Sequence, residues 1–278
     1  MNPESVRRLR RLASLPAFLL LLQTGCVSTA PVVISQGPVL PMDDAIAIVN
    51  QNVDRIDGTL RASGVVDGYY EDDKGRRQPF SMDATLFFCS PTCLRLDMKK
   101  LFDRKLQVGA NLEHYWLDNK LTNEFLCGKH GDRQTQRLIF QPAQLIEALG
   151  LTPIPLDLAR PGEAGRYQRA TDSHQKILFV GESNATGRQL QKEYWIDRTE
   201  PRLVGKVVFL TPDGQEALVS ELSDYRRVSQ SGPWLPHSIK AVWQEPDSEM
   251  RFKINQWKSY PNLNCASIQF ATPESCDQ

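Results

Sequence analysis

Residues 239–244 and 250–255 read Ile-Lys-Ala-Val-Trp-Gln and Met-Arg-Phe-Lys-Ile-Asn, and in both segments every second side chain is apolar. Successive side chains of a strand point to opposite faces of a sheet, so this pattern predicts two half-buried β-strands. A weaker form of the pattern covers 194–197, 203–210 and 217–225, and turn residues such as Thr211-Pro-Asp-Gly214 separate the segments. Residues 192–257 therefore predict an antiparallel meander, whose apolar face must be covered by other parts of the chain.

The chain before the meander adds two helices and several strands. Met42–Ile56 has apolar residues at steps of three and four, with Asp43 and Asp44 in its first turn, which predicts a helix. Residues 141–151 predict a second, short helix that ends at Gly150. Strands are predicted at 59–70, 78–88, 94–98, 106–110, 114–118 and 167–181. The predicted fold class is mainly β with a few helices (α+β), built on an antiparallel sheet.

Residues 1–25 have the organisation of an export signal. Four arginines precede the apolar segment Leu12–Leu22, which is too short to span a bilayer. Gln23-Thr-Gly-Cys26 follows and resembles the cleavage motif of a bacterial lipoprotein, in which the cysteine is acylated, for example with palmitate, and becomes the first residue. Gln23 stands where a leucine is usual, so ordinary secretory cleavage near Ala30 is the alternative. Val27 favours the outer membrane, by analogy with other bacterial lipoproteins.

These features divide the chain into three parts. Residues 1–25 are predicted to be the signal peptide, 26–41 a lipidated tether rich in proline, and 42–278 the folded domain. The whole chain has 33 basic and 33 acidic residues, and cleavage removes four arginines and one glutamate, which leaves a net charge of −3. This charge argues against a nucleic-acid partner, because such partners require a basic face. We expect a membrane association through the lipid on Cys26.

Five further cysteines suggest disulfides, because exported proteins meet an oxidising compartment. A bond between Cys265 and Cys276 would staple the C-terminal tail to itself, and one pair with one leftover thiol is expected among Cys89, Cys93 and Cys127. The spacing alone does not fix the connectivity. The alternative is a zinc site made by Cys89, Cys93, Cys127 and His130, which the oxidising compartment disfavours, so we predict no metal.

The sequence carries no catalytic motif. A HExxH pair and a Gly-rich phosphate loop are absent, and Gly181-Glu-Ser183 lacks the second glycine of a nucleophile elbow. We therefore expect a protein that is not an enzyme and has no cofactor. A hydrolase is the less favoured alternative, since catalytic groups need to converge only in space.

The order of elements resembles the LolA/LolB-like superfamily over roughly residues 42–273. The resemblance rests on a lipoprotein signal, a helix and a hairpin, then Pro91–Leu96, Val108–Asp118, the Leu145–Leu151 helix, the meander through Asp213-Gly214, and Phe270–Pro273. It implies a curved antiparallel sheet that forms an unclosed β-barrel covered by helices. Characterised members of the family bind lipoprotein acyl chains in the apolar concave face and pass them to the outer membrane.

From these arguments we expect a lipoprotein on the periplasmic side of the outer membrane that binds an acyl chain, lipoprotein cargo or another apolar ligand. The large side chains at candidate inward positions are Trp116, Trp195, Phe209, Trp243, Phe252 and Ile254. The residues alone leave open whether these side chains line a hollow or fill a core. If they fill a core, the protein is a structural or scaffold lipoprotein that binds protein partners on its outer surface.

Overall fold

The computed structural model describes residues 37–72, 74–101, 103–130, 142–156, 163–183, 187–245 and 247–277. Over these residues the helices are α1 (Met42–Val53) and α2 (Pro142–Ala148), with short 3-10 helices at Ile268–Phe270 and Glu274–Asp277. The strands are β1 (Thr59–Glu71), β2 (Arg77–Cys89), β3 (Cys93–Lys100), β4 (Asp103–Ala110), β5 (His114–Asn119), β6 (Glu124–Lys129), β7 (Glu163–Ala170), β8 (His174–Ser183), β9 (Gly187–Asp197), β10 (Val204–Leu210), β11 (Glu216–Arg227), β12 (Trp234–Trp243) and β13 (Ser248–Tyr260). In this part of the chain, none of the helices has the length and apolar character needed to cross a bilayer.

All thirteen described strands form one antiparallel sheet. Its order is β6-β5-β4-β3-β2-β1-β13-β12-β11-β10-β9-β8-β7, so nearly every strand lies beside its neighbour in sequence. The exception is the pairing of β1 with β13, which joins two meanders at the centre of the sheet. The edge strands β6 and β7 do not pair with each other, and the sheet is therefore not closed into a barrel.

The central pair of strands approaches unusually closely. A Cβ atom on Gly64 would lie 2.0 Å from the Lys253 carbonyl oxygen, and one on Gly68 would lie 1.9 Å from the Glu249 carbonyl oxygen. The register shifts between Ser63 and Gly64. Bulges and glycines bend a strand and increase its twist, so they introduce curvature at the centre of this sheet.

The inner face of the sheet and both helices contribute to one hydrophobic core. On α1, the apolar stripe Ala45, Ile46 and Val49 is buried in this core. Apolar residues of α2 and the residue that follows it are buried there too, namely Leu145, Ile146, Ala148 and Leu149. Both predicted helices are confirmed, but each is shorter than expected. α1 ends at Val53 and α2 at Ala148, ahead of Gly58 (φ +68°) and Gly150 (φ +69°), where the chain turns.

Polar side chains fix α1 to its surroundings. Asn50 exchanges two hydrogen bonds with the backbone of Ile154, at 2.9 and 2.8 Å. Asn52 does the same with the backbone of Trp234, at 2.9 and 2.7 Å. Each side-chain amide both donates to and accepts from the backbone of a single residue. These paired bonds fix the position of the helix against β12 and against the segment after α2.

The chain ahead of α1 is bound to the domain where it is described. Residues 1–36, which contain the predicted signal peptide and Cys26, lie outside the described residues. Of the predicted tether, Gly37 accepts hydrogen bonds from Arg198 at 3.0 and 2.8 Å, and Leu40 bonds through its backbone with Gln175 and Gln168. The last residues before the helix are therefore attached to β7–β9 rather than free.

Candidate apolar binding cavity

One end of the sheet holds an apolar cavity of about 210 Å³. It lies where β1, β3, β5 and β12 end and where β2, β4, β6 and β13 begin. Its walls include Tyr70, Phe80, Met82, Met98, Leu106, Leu117, Leu121, Trp243 and Met250, together with polar side chains such as Asn119 and Thr122. The arrangement can accept an apolar chain, because the surface that a ligand would cover is hydrophobic.

Methionine is concentrated in this cavity. Met82, Met98 and Met250 are three of the five methionines in the chain, and all three are at least 95 % buried. Methionine has an unbranched, flexible side chain that can repack around ligands of different shape. Such side chains suit a wall that accommodates ligands of different shape.

A second cavity, of about 350 Å³, lies between two distant parts of the sheet. Its walls come from the β2–β3 and β4–β5 turns on one side and from α2 and β9 on the other. The Lys192 ammonium lies 2.8 Å from Glu147 Oε1, and the Tyr194 hydroxyl donates to the same oxygen. Lys192 also lies 5.4 Å from the centre of the Phe179 ring. This cavity is thus lined by an ion pair that links α2 to β9, and its Lys192 and Glu147 side chains are 11 % and 17 % exposed.

Of the six predicted ligand-contacting residues, only Trp243 lines the apolar cavity. Phe209, Phe252 and Ile254 point inward, but they are packed within the core and do not border the cavity. Over the described residues, most of the concave face is filled by its own side chains. The sequence identified the correct face at these positions, but it did not show which part of that face stays open.

Trp116 does not lie on the inner face. Its neighbours Tyr115 and Leu117 belong to the core, and adjacent side chains in a strand point to opposite faces. The indole lies directly against Gly109, where a Cβ atom would be 2.1 Å from the ring. Its β6 partner is Cys127. Trp116 therefore does not occupy the inward position that the sequence predicts for it.

Trp195 is also on the outer face. Tyr194 and Ile196 occupy the core, and the Trp195 ring lies between the side chains of Lys176 and Lys206, with ammonium–centroid distances of 3.5 and 4.8 Å. These two lysines are its cross-strand partners on β8 and β10. The tryptophan therefore contributes cation–π contacts on the outer face, and its predicted role in the cavity is not supported.

The cysteine pairing differs from the expected staple. Cys276 is bonded to Cys127, with a Cα–Cα distance of 5.5 Å, and not to Cys265. The bond links the C-terminal segment to β6, which the spacing in sequence could not indicate. Cys89, Cys93 and Cys265 are free. Cys127 is one of the four ligands of the alternative zinc site, and here it is bonded to Cys276. Among the described residues, no group of three or more His, Cys, Asp or Glu side chains is arranged to hold a metal.

The sequence reasoning missed most of the residues that line the cavity. Four of them, Met82, Met98, Leu106 and Leu117, belong to strands that the sequence predicts, but the candidates predicted from sequence are large aromatic side chains and Ile254. A signal was present, since methionines occupy inward positions in the middle of β2 and near the ends of β3 and β13. Strand ends, however, are the least certain part of a prediction made from sequence.

The fold and cavity define a class: an open, strongly extended antiparallel sheet with an apolar cavity at one end. No family model matches the chain, and no curated protein matches it. The chain is, however, similar to several solved structures. A domain named for outer-membrane lipoprotein sorting, from Vibrio parahaemolyticus, is 8 % identical, with a TM-score of 0.49 over 80 % of this chain and 94 % of that one.

Two further solved structures are similar. A LolA superfamily protein from Nitrosomonas europaea is 9 % identical, with a TM-score of 0.47 over 78 % of this chain and 93 % of that one. A DUF1329 family protein from Desulfovibrio piger is 9 % identical, with a TM-score of 0.49 over 82 % of this chain and 97 % of that one.

Proposed function

We propose that this chain binds an acyl chain, or a similar apolar segment of a ligand, in the cavity at the end of the sheet, without catalysis. The observation that supports this function is the apolar, methionine-rich wall made by Met82, Met98 and Met250 at one end of the sheet. Burial would drive the binding, because each methylene removed from water contributes about 0.8 kcal/mol.

The size of the cavity limits what it takes. Sites for small molecules usually have volumes of about 300 Å³ or more, and this cavity has about 210 Å³. One segment of an acyl chain is therefore the expected occupant rather than a whole lipid. A longer chain would require the methionines to move aside, which their flexibility permits.

We further propose that the protein is anchored in the cell envelope by an acylated Cys26, with the domain on the periplasmic side of the outer membrane. The signal-like sequence of residues 1–25 supports this, as does the Cys127–Cys276 disulfide, because stable disulfides are typical of oxidising compartments. The bound ligand would be lipid or lipoprotein cargo that the protein transfers. Replacement of Cys26 by serine should then release the protein from the membrane fraction, whereas retention of that variant would contradict the anchor.

The binding function is tested on the soluble form that begins at Ser28. The purified protein is extracted with organic solvent, the extract is analysed by mass spectrometry, and the stripped protein is titrated with a fluorescent fatty acid. We expect a copurifying acylated compound and saturable uptake. A clean extract together with no uptake would refute the proposal.

The second candidate function is a scaffold lipoprotein that binds protein partners on its outer surface. The observation that favours it is the filled concave face, where Phe209, Phe252 and Ile254 pack into the core. A scaffold would give the clean extract and would show no uptake of fatty acid, so the same experiment separates the two functions.

A further inference from the structure

Three free thiols meet at the hairpin between β2 and β3. Cys89 and Cys93 face each other as the last pair of the β2–β3 ladder. Cys265 packs against this pair, and its thiol lies 3.5 Å from the Cys89 carbonyl oxygen and 3.7 Å from the Ser90 carbonyl oxygen. The side chain of Phe270 packs against this group. Residues far apart in sequence thus bring three sulfur atoms together at one place.

The three thiols differ in their access to solvent. Cys93 is fully buried and Cys89 is 6 % exposed, whereas Cys265 is partly exposed. Cys265 also lines a surface cavity of about 360 Å³, which has Asn111 and His114 on its other side. Cys265 is therefore the most accessible of the three residues to a small reagent, because the two hairpin cysteines are buried.

We propose that these three cysteines form a thiol–disulfide exchange site, in which Cys265 reacts with a small disulfide and is then resolved by Cys89 or Cys93. In the first step the Cys265 thiolate attacks one sulfur of the reagent, forms a mixed disulfide and releases one reagent thiolate. In the second step the thiolate of Cys89 or Cys93 attacks the Cys265 sulfur and displaces the other reagent thiolate. The protein loses two electrons and two protons, and the reagent disulfide is reduced to two thiols.

The product would attach the C-terminal segment to the sheet at a second point. Cys276 already bonds this segment to β6, and the new bond would join residue 265 to the β2–β3 hairpin. One thiol of the three would remain. It would lie beside the new disulfide and could exchange with it, because a thiolate displaces the sulfur that it attacks.

Burial also sets the speed of the reaction. It raises the pKa of Cys265 to about 11, and that of Cys89 to about 11. Because the thiolate is the attacking species, only about one Cys265 thiol in ten thousand is reactive at pH 7. Oxidation should therefore be slow at neutral pH and should accelerate about tenfold for each pH unit up to pH 10.

The test uses the folded soluble form with the Cys127–Cys276 bond intact and oxidised glutathione as the reagent. Free thiols are alkylated after different times, and unreduced peptides are mapped by mass spectrometry. We expect one new disulfide from Cys265 to Cys89 or Cys93 and one remaining thiol. Three free thiols after long incubation at pH 9, or a glutathione adduct on Cys265 that is never resolved, would overturn the proposal.

Two variants of similar size separate the roles of the cysteines. Cys265→Ser should leave both hairpin thiols reduced, because the accessible sulfur is gone, whereas Cys93→Ser should still form a bond between Cys265 and Cys89. Circular dichroism confirms that each variant is folded. If the hairpin thiols of Cys265→Ser oxidise at the rate of the natural protein, Cys265 is not the point of attack and the proposal fails.

Discussion

Shortening Met250 should change which acyl chain the protein prefers. Met250→Ala removes three heavy atoms from the wall of the cavity, which is room for about two further methylenes. At about 0.8 kcal/mol for each methylene, a chain longer by two carbons should gain about 1.6 kcal/mol, or roughly fifteenfold in affinity. The assay is displacement of a fluorescent fatty acid by saturated fatty acids of increasing length.

Ile254→Ala is the matched control for this experiment. Ile254 lies on the same strand and the same face as Met250 and is equally buried, at 4 % against 3 % exposed, but it does not border the cavity. Both variants should lose about 2 kcal/mol or more of unfolding free energy, since each removes a buried side chain. Only Met250→Ala should shift the preferred chain length. Equal shifts in both variants, or no shift in either, would refute the assignment of the cavity.

Two further predictions concern stability, and both can be measured by urea denaturation. Glu147→Ala leaves the buried Lys192 ammonium without its carboxylate and should lower the free energy of unfolding by about 3 kcal/mol. Glu147→Leu combined with Lys192→Met should recover most of that loss. A loss below about 1 kcal/mol in Glu147→Ala would show that water already screens the pair. Gly68→Ala would place a Cβ atom 1.9 Å from a carbonyl oxygen of β13 and should destabilise the sheet. The control Gly205→Ala meets nothing closer than 3.4 Å, so equal losses in both variants would contradict the close approach.

The sequence predicts the fold well where its pattern is regular. In β13, Met250, Phe252 and Ile254 are buried and the residues between them are not, as strict alternation requires. The helix α1 likewise buries the apolar stripe that its three- and four-residue steps define. In these segments one periodicity dominates, so the local pattern and the tertiary structure agree.

The sequence fails where apolar residues follow one another. Trp116 stands between Tyr115 and Leu117, and Trp195 stands between Tyr194 and an isoleucine, so alternation does not tell which residue of each group faces inward. The structure gives the inner positions to the neighbours and turns both tryptophans outward. The large size of a side chain is therefore not a reliable guide to its face in such segments.

The position of the cavity has a physical reason that becomes visible only with the strand register. Met98 faces Ala84 across the β2–β3 ladder, and Met250 faces Ala241 across the β12–β13 ladder. Met250 also lies opposite Gly68 on β1. A flexible side chain beside a small one leaves space that a rigid, branched pair would fill, because cores are close-packed only where the facing volumes match. The open part of the concave face is thus set by which residues the register brings together, and a sequence read without its register cannot show it.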